Sequence, residues 1–103
     1  MSHEMTVGLL VTDQEKYAQY RREMRPLLER AGGAFRYDFD VARVLESEGG
    51  AQINRAFVIR FPDRSSKERF FADPHYLEIR RRLFEPAVKA ATIIAEYATD
   101  RPA

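Results

Sequence analysis

The sequence predicts an α+β domain whose elements follow the order β-α-β-β-α-β. Three observations predict it: four segments alternate apolar and polar residues, two regions repeat apolar residues at helical spacing, and capping or glycine signals separate them. In this order the strands form a four-stranded antiparallel sheet, and the helices cover one of its faces. The length of 103 residues indicates a single domain, 1–103, with an ordered core over about residues 5–98.

The first strand and the first helix lie before a glycine pair. Alternating apolar residues predict a strand over Met5–Val11, and Thr12 with Glu15 forms a capping box that begins the helix. The helix continues through Pro26, where the ring removes one backbone donor and kinks the axis. The glycines at 32–33 end it. Its apolar stripe comprises Tyr17, Tyr20, Met24, Leu27, Leu28 and Ala31.

The two central strands are predicted over Ala34–Glu46 and Ile53–Phe61, with a turn at the glycine pair 49–50. A two-residue turn pairs odd-numbered with even-numbered residues and sets the apolar sides of these strands on opposite faces. A bulge near Val41–Arg43, or a loop of odd length, repairs this mismatch, and the slip in the alternation there favours the bulge. It returns three aromatic residues to the helix-covered face, namely Phe35, Tyr37 and Phe39.

The second helical region and the last strand complete the pattern. Ser65 and Glu68 predict a capping box for a short helix, and Asp73-Pro74 starts the next helix. The last strand is predicted over Thr92–Tyr97. The complete order is the split βαβ, or ferredoxin-like, arrangement. Its helix-covered face is predicted to hold Met5, Val7, Leu9, Val11, Phe35, Tyr37, Phe57, Ile59, Ile93 and Ala95.

The opposite face of the sheet mixes apolar and charged residues. It is too apolar to be wholly solvated and too charged for an ordinary core, which favours packing against the sheet of a second copy in a homodimer. Its predicted members are Leu10, Val44, Ala56, Val58 and Ile94, together with Arg36, Asp38, Asp40, Arg60 and Glu96.

Composition excludes several classes of function. Lysine and arginine number 17 against 16 aspartates and glutamates, so neither a nucleic-acid surface nor an anionic-membrane surface is predicted. The absence of cysteine excludes disulfides, thiolate metal sites and a cysteine nucleophile. With two histidines and no glycine-rich phosphate loop, no metal and no cofactor are expected. No signal peptide or membrane span is visible, and a cytoplasmic location is expected.

Arg55 is the only charged residue on the apolar side of the third strand. Because a guanidinium offers paired donors in a fixed fork, Arg55 is a candidate anchor for a substrate carboxylate or enolate, inside a cavity beneath the helices. The alternative is a side chain that reaches solvent or pairs with an acid, for which Glu46 and Glu48 are nearest in sequence.

Histidine and tyrosine supply the other candidate site residues. His75 follows a helix start and Tyr37 lies on the central sheet, so both are candidate catalytic residues, His75 as a neutral general base. Tyr17, Tyr20 and Tyr76 are candidate substrate-binding residues whose phenols face a pocket. The alternatives are an exposed first-turn histidine and core tyrosines with a wet hydroxyl.

Charged residues outside this group also leave alternatives open. Asp38 and Asp40 point to the same side of one strand and could bind a cation or share a proton, or could pair with Arg36, Arg60 or an arginine of a second copy. The arginines of the helices are interspersed with glutamates, which favours a solvated surface of salt bridges. These arginines are Arg21, Arg22, Arg25, Arg80, Arg81 and Arg82.

An ordered set of local signatures resembles the domain-of-unknown-function family 1330, within the dimeric α+β barrel superfamily. The matching residues are Asp13, Tyr17, Tyr20, Pro26, Gly32-Gly33, Val44-Leu45-Glu46, Phe61-Pro62, Asp73-Pro74-His75-Tyr76, Ile93, Ile94 and Glu96. The resemblance spans about Met5 to Tyr97 and implies a ferredoxin-like protomer that forms a homodimer, without implying a reaction. Many members carry Arg-Gly-Gly in the second strand where this chain has Asp38-Phe39-Asp40, so no role of that segment is carried over.

Three functions are weighed from these observations. The leading hypothesis is a homodimeric α+β barrel that binds a small aromatic or acidic molecule under its helices, with or without cofactor-independent monooxygenase- or isomerase-like catalysis. The alternative is a non-catalytic dimerisation or regulatory domain, which a filled core favours and an enclosed cavity disfavours. RNA binding shares the element order, but Thr6–Thr12 lacks the stacking aromatic residues that such domains need.

Overall fold

Four antiparallel strands form one sheet in the order β2-β3-β1-β4, and helices cover one face. A computed structural model describes residues 1–100. The strands are β1 (Ser2–Val11), β2 (Ala34–Asp40), β3 (Arg55–Phe61) and β4 (Val88–Thr99). The helices are α1 (Gln14–Arg30), α2 (Arg64–Ala72) and α3 (Pro74–Ile79), which continues into a π turn over Arg80–Phe84. The predicted ferredoxin-like fold is therefore confirmed. No helix within residues 1–100 is long and apolar enough to span a membrane.

The side chains of the central strand β1 alternate between the two faces of the sheet. Its odd-numbered residues Met5, Val7 and Leu9 are buried under the helices. Its even-numbered residues lie on the other side, which we call the open face. The strand begins at Ser2, three residues before the predicted start, because it pairs with both β3 and the long β4.

Aspartates, not hydroxyl residues, cap the first two helices. The Asp13 carboxylate accepts a hydrogen bond from the Lys16 backbone N–H, and Asp63 accepts one from Ser66. The predicted caps at Thr12 and Ser65 are therefore wrong, because the neighbouring carboxylates are stronger acceptors at a helix N-terminus. The Asp73 cap of α3 is confirmed.

Helix α1 runs without interruption through Pro26, as predicted. The helix ends where Gly32 adopts a φ of 81°, a left-handed conformation that glycine reaches without steric cost. The Gly33 backbone N–H donates to the Leu28 carbonyl and turns the chain directly into β2. Helix α1 is therefore 17 residues long, and it connects β1 to β2 along the chain.

The bulge between β2 and β3 lies earlier than predicted. Phe35 pairs with Ile59, whereas Tyr37 pairs with Val58, so Arg36 is the extra residue. The predicted position near Val41–Arg43 is therefore wrong. From Tyr37 onward, each β2 side chain therefore lies on the face of the sheet opposite to the predicted one.

This exchange moves four predicted positions on β2. Tyr37 and Phe39 lie on the open face, where they are 49% and 54% exposed, so their predicted place beneath the helices is wrong. Asp38 and Asp40 instead lie on the helix-covered face, opposite Phe57 and Arg55.

A second bulge alters β4 in the same way. Ala95 pairs with Thr6 and Ile93 pairs with Val7, which leaves Ile94 as the extra residue. Ala95 therefore lies on the open face, contrary to the prediction, and Glu96 lies on the helix-covered face opposite Met5. The alternation of small apolar residues in this segment gives no signal for the bulge, because either face accepts them.

The segment 41–54 leaves the predicted strands early and folds at one end of the open face. The Asn54 side chain accepts from the Val11 N–H and donates to the Val11 carbonyl, both at 2.8 Å, and so replaces strand pairing at this point. Ile53 packs over Gly8, where a β-carbon would lie 2.6 Å from the Ile53 side chain. Strand β3 therefore begins at Arg55, and Glu48–Gly50 forms a 3-10 turn.

The β2 bulge places the Asp38 carboxylate between two guanidinium groups. Arg55 donates to it from Nε and Nη2, both at 2.9 Å, and Arg21 of α1 donates from Nη1 and Nη2 at 3.0 and 3.3 Å. Burial raises the pKa of the Asp38 carboxyl. The hydrogen bonds and charges of Arg55 and Arg21 together lower it by more, so the pKa lies below its ordinary value. One carboxylate therefore ties β2 to both β3 and α1.

We expect Asp38→Asn to lower the free energy of unfolding by about 2 kcal/mol near neutral pH, because the buried Arg21 loses its counter-charge. The folded-state pKa lies below the unfolded value of about 3.9. The contribution is therefore complete well above that value and is lost as the pH falls through the folded-state pKa. Urea unfolding of the unmodified protein and of Asp38→Asn measures this loss. The two free energies of unfolding should differ at neutral pH and become equal at strongly acidic pH.

Asp40→Asn is the matched control, since Asp40 lies on the same face of β2 and forms no ion pair with residues 1–100. Its effect should stay within about 0.5 kcal/mol. Equal losses for the two variants, or a loss for Asp38→Asn that persists unchanged in acid, would contradict this account.

Candidate functional site

A cavity of about 330 Å³ lies between the sheet and the helices. All four strands form its floor, and α1, α2, α3 and the π turn form its roof. The floor consists of Met5, Val7, Leu9, Phe35, Phe57, Ile59, Ala91 and Ile93. The roof consists of Tyr17, Tyr20, Arg21, Met24, Lys67, Phe71, Tyr76, Arg80 and Phe84. The walls are therefore mainly aromatic and aliphatic, with polar groups confined to the roof, and the volume is that of a small-molecule site.

Helix α1 supplies the central part of the roof because four of its residues share one face. Tyr17, Tyr20, Arg21 and Met24 follow one another at spacings of three, one and three residues, and all four are buried. Tyr17 and Tyr20 rings contact at a centroid distance of 5.6 Å, and both contact Phe84 of the π turn.

Two phenols face each other inside the roof. The hydroxyl oxygens of Tyr20 and Tyr76 lie 2.7 Å apart and share one hydrogen bond. Burial, followed by the influence of Tyr76, raises the pKa of the Tyr20 phenol well above its ordinary value. Tyr20 is therefore neutral at physiological pH and acts as a hydrogen-bonding group, not as a general base.

Tyr17 is held by the two arginines that bind Asp38. Its hydroxyl accepts a hydrogen bond from Arg21 Nε at 2.8 Å, and the Arg21 and Arg55 guanidinium groups lie 5.2 and 5.1 Å from its ring centroid. Burial raises the pKa of Tyr17, while the charge of Arg21 opposes this effect. The ring is fixed in position as a result, and its phenol stays protonated near neutral pH.

The cationic residues of the roof differ in how they are neutralised. Lys67 Nζ donates to Glu96 Oε2 at 2.7 Å, and the same oxygen lies 2.6 Å from His3 Nε2. Arg21 binds Asp38 and stacks against Phe35, 3.9 Å from the ring centroid. Arg80 forms no ion pair with any of residues 1–100, and its guanidinium lies 4.7 Å from the Phe84 centroid.

The predicted site residues fall into two groups. Tyr17, Tyr20 and Tyr76 line the cavity together. Arg55 lies beside it with its guanidinium engaged by Asp38, not by Glu46 or Glu48 and not by open cavity space. The expectation that Arg55 presents free donors to the cavity is therefore wrong.

The two predicted catalytic residues lie outside the cavity. Tyr37 is on the open face, since the bulge at Arg36 reverses its side of the sheet. His75 is exposed in the first turn of α3 and borders a shallow surface depression, while its neighbour Tyr76 turns inward. The structure therefore does not bring either residue to the three cavity tyrosines.

Sequence reasoning missed Arg21, Lys67 and Arg80 as cavity residues. The sequence predicts a solvated surface of salt bridges for the helical arginines, which is correct for Arg81 and Arg82, whose partners are Glu78 and Glu23. The spacing of Arg21 and Arg80 relative to aromatic residues is the signal that predicts their place in the cavity. Arg21 lies four residues after Tyr17, and Arg80 lies four residues after Tyr76 and four before Phe84, so each shares a face with buried aromatic residues.

This arrangement suits a flat apolar molecule that carries one polar end. The floor removes apolar surface from water, and the roof offers neutral phenols and positive charge. Groups of this kind are able to orient an oxygen atom, the cations by their charge and the protonated tyrosines by donating hydrogen bonds.

Comparison with known proteins agrees with the fold. A protein of unknown function from Rhodopseudomonas palustris is 21% identical, with a TM-score of 0.80 over 98% of this chain and 84% of that one. A DABB-family protein from Mesorhizobium loti with a ferredoxin-like fold is 14% identical, with a TM-score of 0.68 over 95% and 96%. The hydroxynitrile lyase of Passiflora edulis is 17% identical, with a TM-score of 0.65 over 97% and 95%.

At these identities the structural similarities show the fold alone. No curated protein matches the chain significantly. The sequence matches the family described as "Domain of unknown function (DUF1330)" over residues 5–97, which is nearly the whole chain. The protein therefore belongs to the DUF1330 family, and it shares the ferredoxin-like fold of the DABB-family protein from Mesorhizobium loti.

Proposed function

We propose that this protein binds a small aromatic or acidic molecule in the cavity beneath its helices. The observation that carries the proposal is the cavity itself, about 330 Å³ in volume, with an apolar floor and a roof of three tyrosines and three cationic side chains. A dimerisation or regulatory domain without a ligand has no need for such a space, because core voids larger than a water molecule lose packing energy.

The site residues of this proposal are Tyr17, Tyr20, Tyr76 and Arg21, with Arg55 as a positioning residue. Arg55 holds Asp38, and Asp38 holds Arg21 at the edge of the cavity. Neutral phenols beside positive charge also stabilise negative charge on an oxygen atom of a bound ring, which is the requirement of enolate or oxyanion chemistry. The solved hydroxynitrile lyase indicates that this fold accommodates enzymes, and catalysis on the bound molecule is thus compatible with the proposal.

We further propose that the protein is a homodimer through its open face. Tyr37, Phe39 and Tyr97 expose 49%, 54% and 42% of their surface there, and Tyr37 stacks on Phe39 at a centroid distance of 6.0 Å. Val58 and Ala56 lie opposite these two rings on β3. Exposed aromatic rings on one face of a sheet are typical of a surface that packs against a second sheet.

A buried ion pair supports this assignment of the open face. Glu4 is fully buried, where Arg36 Nη1 donates to it at 3.1 Å and the Tyr97 hydroxyl donates at 2.9 Å. These contacts satisfy the charge of Glu4 within the protomer. The face can therefore enter an interface without leaving an unpaired carboxylate, whose burial would be costly.

The ligand proposal predicts that 1-naphthol, a neutral fused-ring probe, binds in the cavity. Ala91→Trp should weaken its binding by about tenfold or more, or ~1.4 kcal/mol, because an indole at this position of the floor would occupy part of the cavity. Isothermal titration calorimetry measures the change.

Ala18→Trp is the control, because Ala18 is exposed on α1 and does not line the cavity. It should bind the probe as the unmodified protein does. Equal affinities for all three proteins, or no binding of ring compounds to the unmodified protein, would contradict the ligand proposal.

The dimer proposal predicts a solution mass of about twice 12.0 kDa at micromolar concentration. Phe39→Asp should shift the mass to that of the monomer, because it places an unpaired charge in the interface. Leu77→Asp is the control, since Leu77 is similarly exposed but lies on α3. Analytical ultracentrifugation distinguishes the two masses, and a monomeric unmodified protein would refute the dimer.

A further inference from the structure

We propose that the cavity selects a singly charged aromatic acid, whose acidic oxygen atoms bind the Arg80 guanidinium and one hydroxyl of the Tyr20–Tyr76 pair. This inference rests on the proposed function and specifies the class of molecule bound. It follows from three features of the roof: the count of phenolic hydrogens, the neutralisation of the cations, and the position of Arg80.

The two facing phenols hold one more hydrogen than their shared bond uses. Each hydroxyl carries a single hydrogen atom, and only one of the two lies between the oxygens, 2.7 Å apart. Neither hydroxyl has a second hydrogen-bond partner among residues 1–100. The remaining O–H is therefore a donor without an acceptor in residues 1–100, and both phenols line the cavity. A ligand oxygen is the group that satisfies this donor.

Among the three cations that line the cavity, Arg80 is the one without a carboxylate partner in residues 1–100. Lys67 is paired with Glu96 at 2.7 Å, and Arg21 is paired with Asp38 at 3.0 Å. Arg80 is half-buried and rests on Phe84, whose ring also contacts Tyr20. A partly buried cation without a counter-ion favours an anion, because the surrounding apolar groups weaken its hydration.

Phe84 connects Arg80 to the phenol pair in the roof of the cavity. Tyr20 contacts Tyr76 and Phe84 at centroid distances of 6.3 and 5.1 Å, and Phe84 lies under Arg80. Burial and then Tyr76 raise the pKa of the Tyr20 phenol, and the charge of Arg80 is a smaller effect in the opposite direction. Arg80 begins the π turn, in which the Glu85 N–H donates to the Arg80 carbonyl, and π turns occur frequently at functional sites.

The charge and the shape together define the ligand class. One free cation matches one negative charge, and the apolar floor formed by four strands matches a flat ring system. A neutral ring of the same shape keeps the floor contacts but loses the charge-assisted hydrogen bond. A dianion would leave its second charge without an unpaired cation among the cavity residues that the structure describes.

The test compares 1-naphthoate with 1-naphthamide, which has nearly the same shape but no charge. At neutral pH the unmodified protein should bind the acid about tenfold or more tightly than the amide, the usual scale of one charge-assisted hydrogen bond. Arg80→Gln should bring this ratio close to one, and Arg80→Lys should restore part of it by returning the charge. Isothermal titration calorimetry gives both affinities, and thermal unfolding checks that each variant folds.

Arg81→Gln is the matched control, because Arg81 is the next residue in the chain but is exposed and paired with Glu78. It should keep the full preference for the acid. Equal binding of acid and amide by the unmodified protein would overturn this inference and leave the proposed function intact. A preference that survives Arg80→Gln would overturn the role of Arg80, and failure of both compounds to bind would overturn the proposed function together with this inference.

Discussion

The structure depends on one carboxylate, that of Asp38, held between the guanidinium groups of Arg55 and Arg21. Through it β2 is joined to β3 within the sheet and to α1 above the sheet. Arg21 in turn holds the Tyr17 hydroxyl and stacks on Phe35 and Phe57, so the roof and floor of the cavity meet at this point. An arginine buried in an apolar setting is stable only with such a partner, because the charge would otherwise lose its hydration without compensation.

Most of the fold could be predicted from the sequence because each element carries its own local signal. Alternation located all four strands, helical spacing and glycine located α1, and Asp73-Pro74 located the start of α3. The bulge at Arg36 could not be located in this way. The alternation continues unbroken through three aromatic residues, Phe35, Tyr37 and Phe39. It therefore gives no signal for the position of the bulge between them. That choice is decided by contacts of Asp38 with residues distant in sequence.

The candidate site was predictable to the extent that its residues are apolar or aromatic. Tyr17, Tyr20 and Tyr76 follow helical spacing and line the cavity together. Charge alone predicts that Arg21 and Arg80 lie on the surface, although their spacing places each on one helix face with a buried tyrosine. Composition treats every arginine alike, whereas burial depends on whether a carboxylate or a ring lies within reach of its long side chain. Only the folded chain supplies that information.

The bulge at Arg36 also links the two sides of the sheet. A strand has period two, so moving the extra residue to a point beyond Phe39 would return Tyr37 and Phe39 to the helix-covered side and expel Asp38 to the open face. The cavity would then lose the carboxylate that neutralises Arg21, and the open face would lose two of its exposed rings. The charge of the cavity and the aromatic character of the open face are thus set by the same single residue insertion. Ligand selection under the helices and association across the sheet, as proposed for this protein, are therefore coupled through β2 at the level of its backbone register.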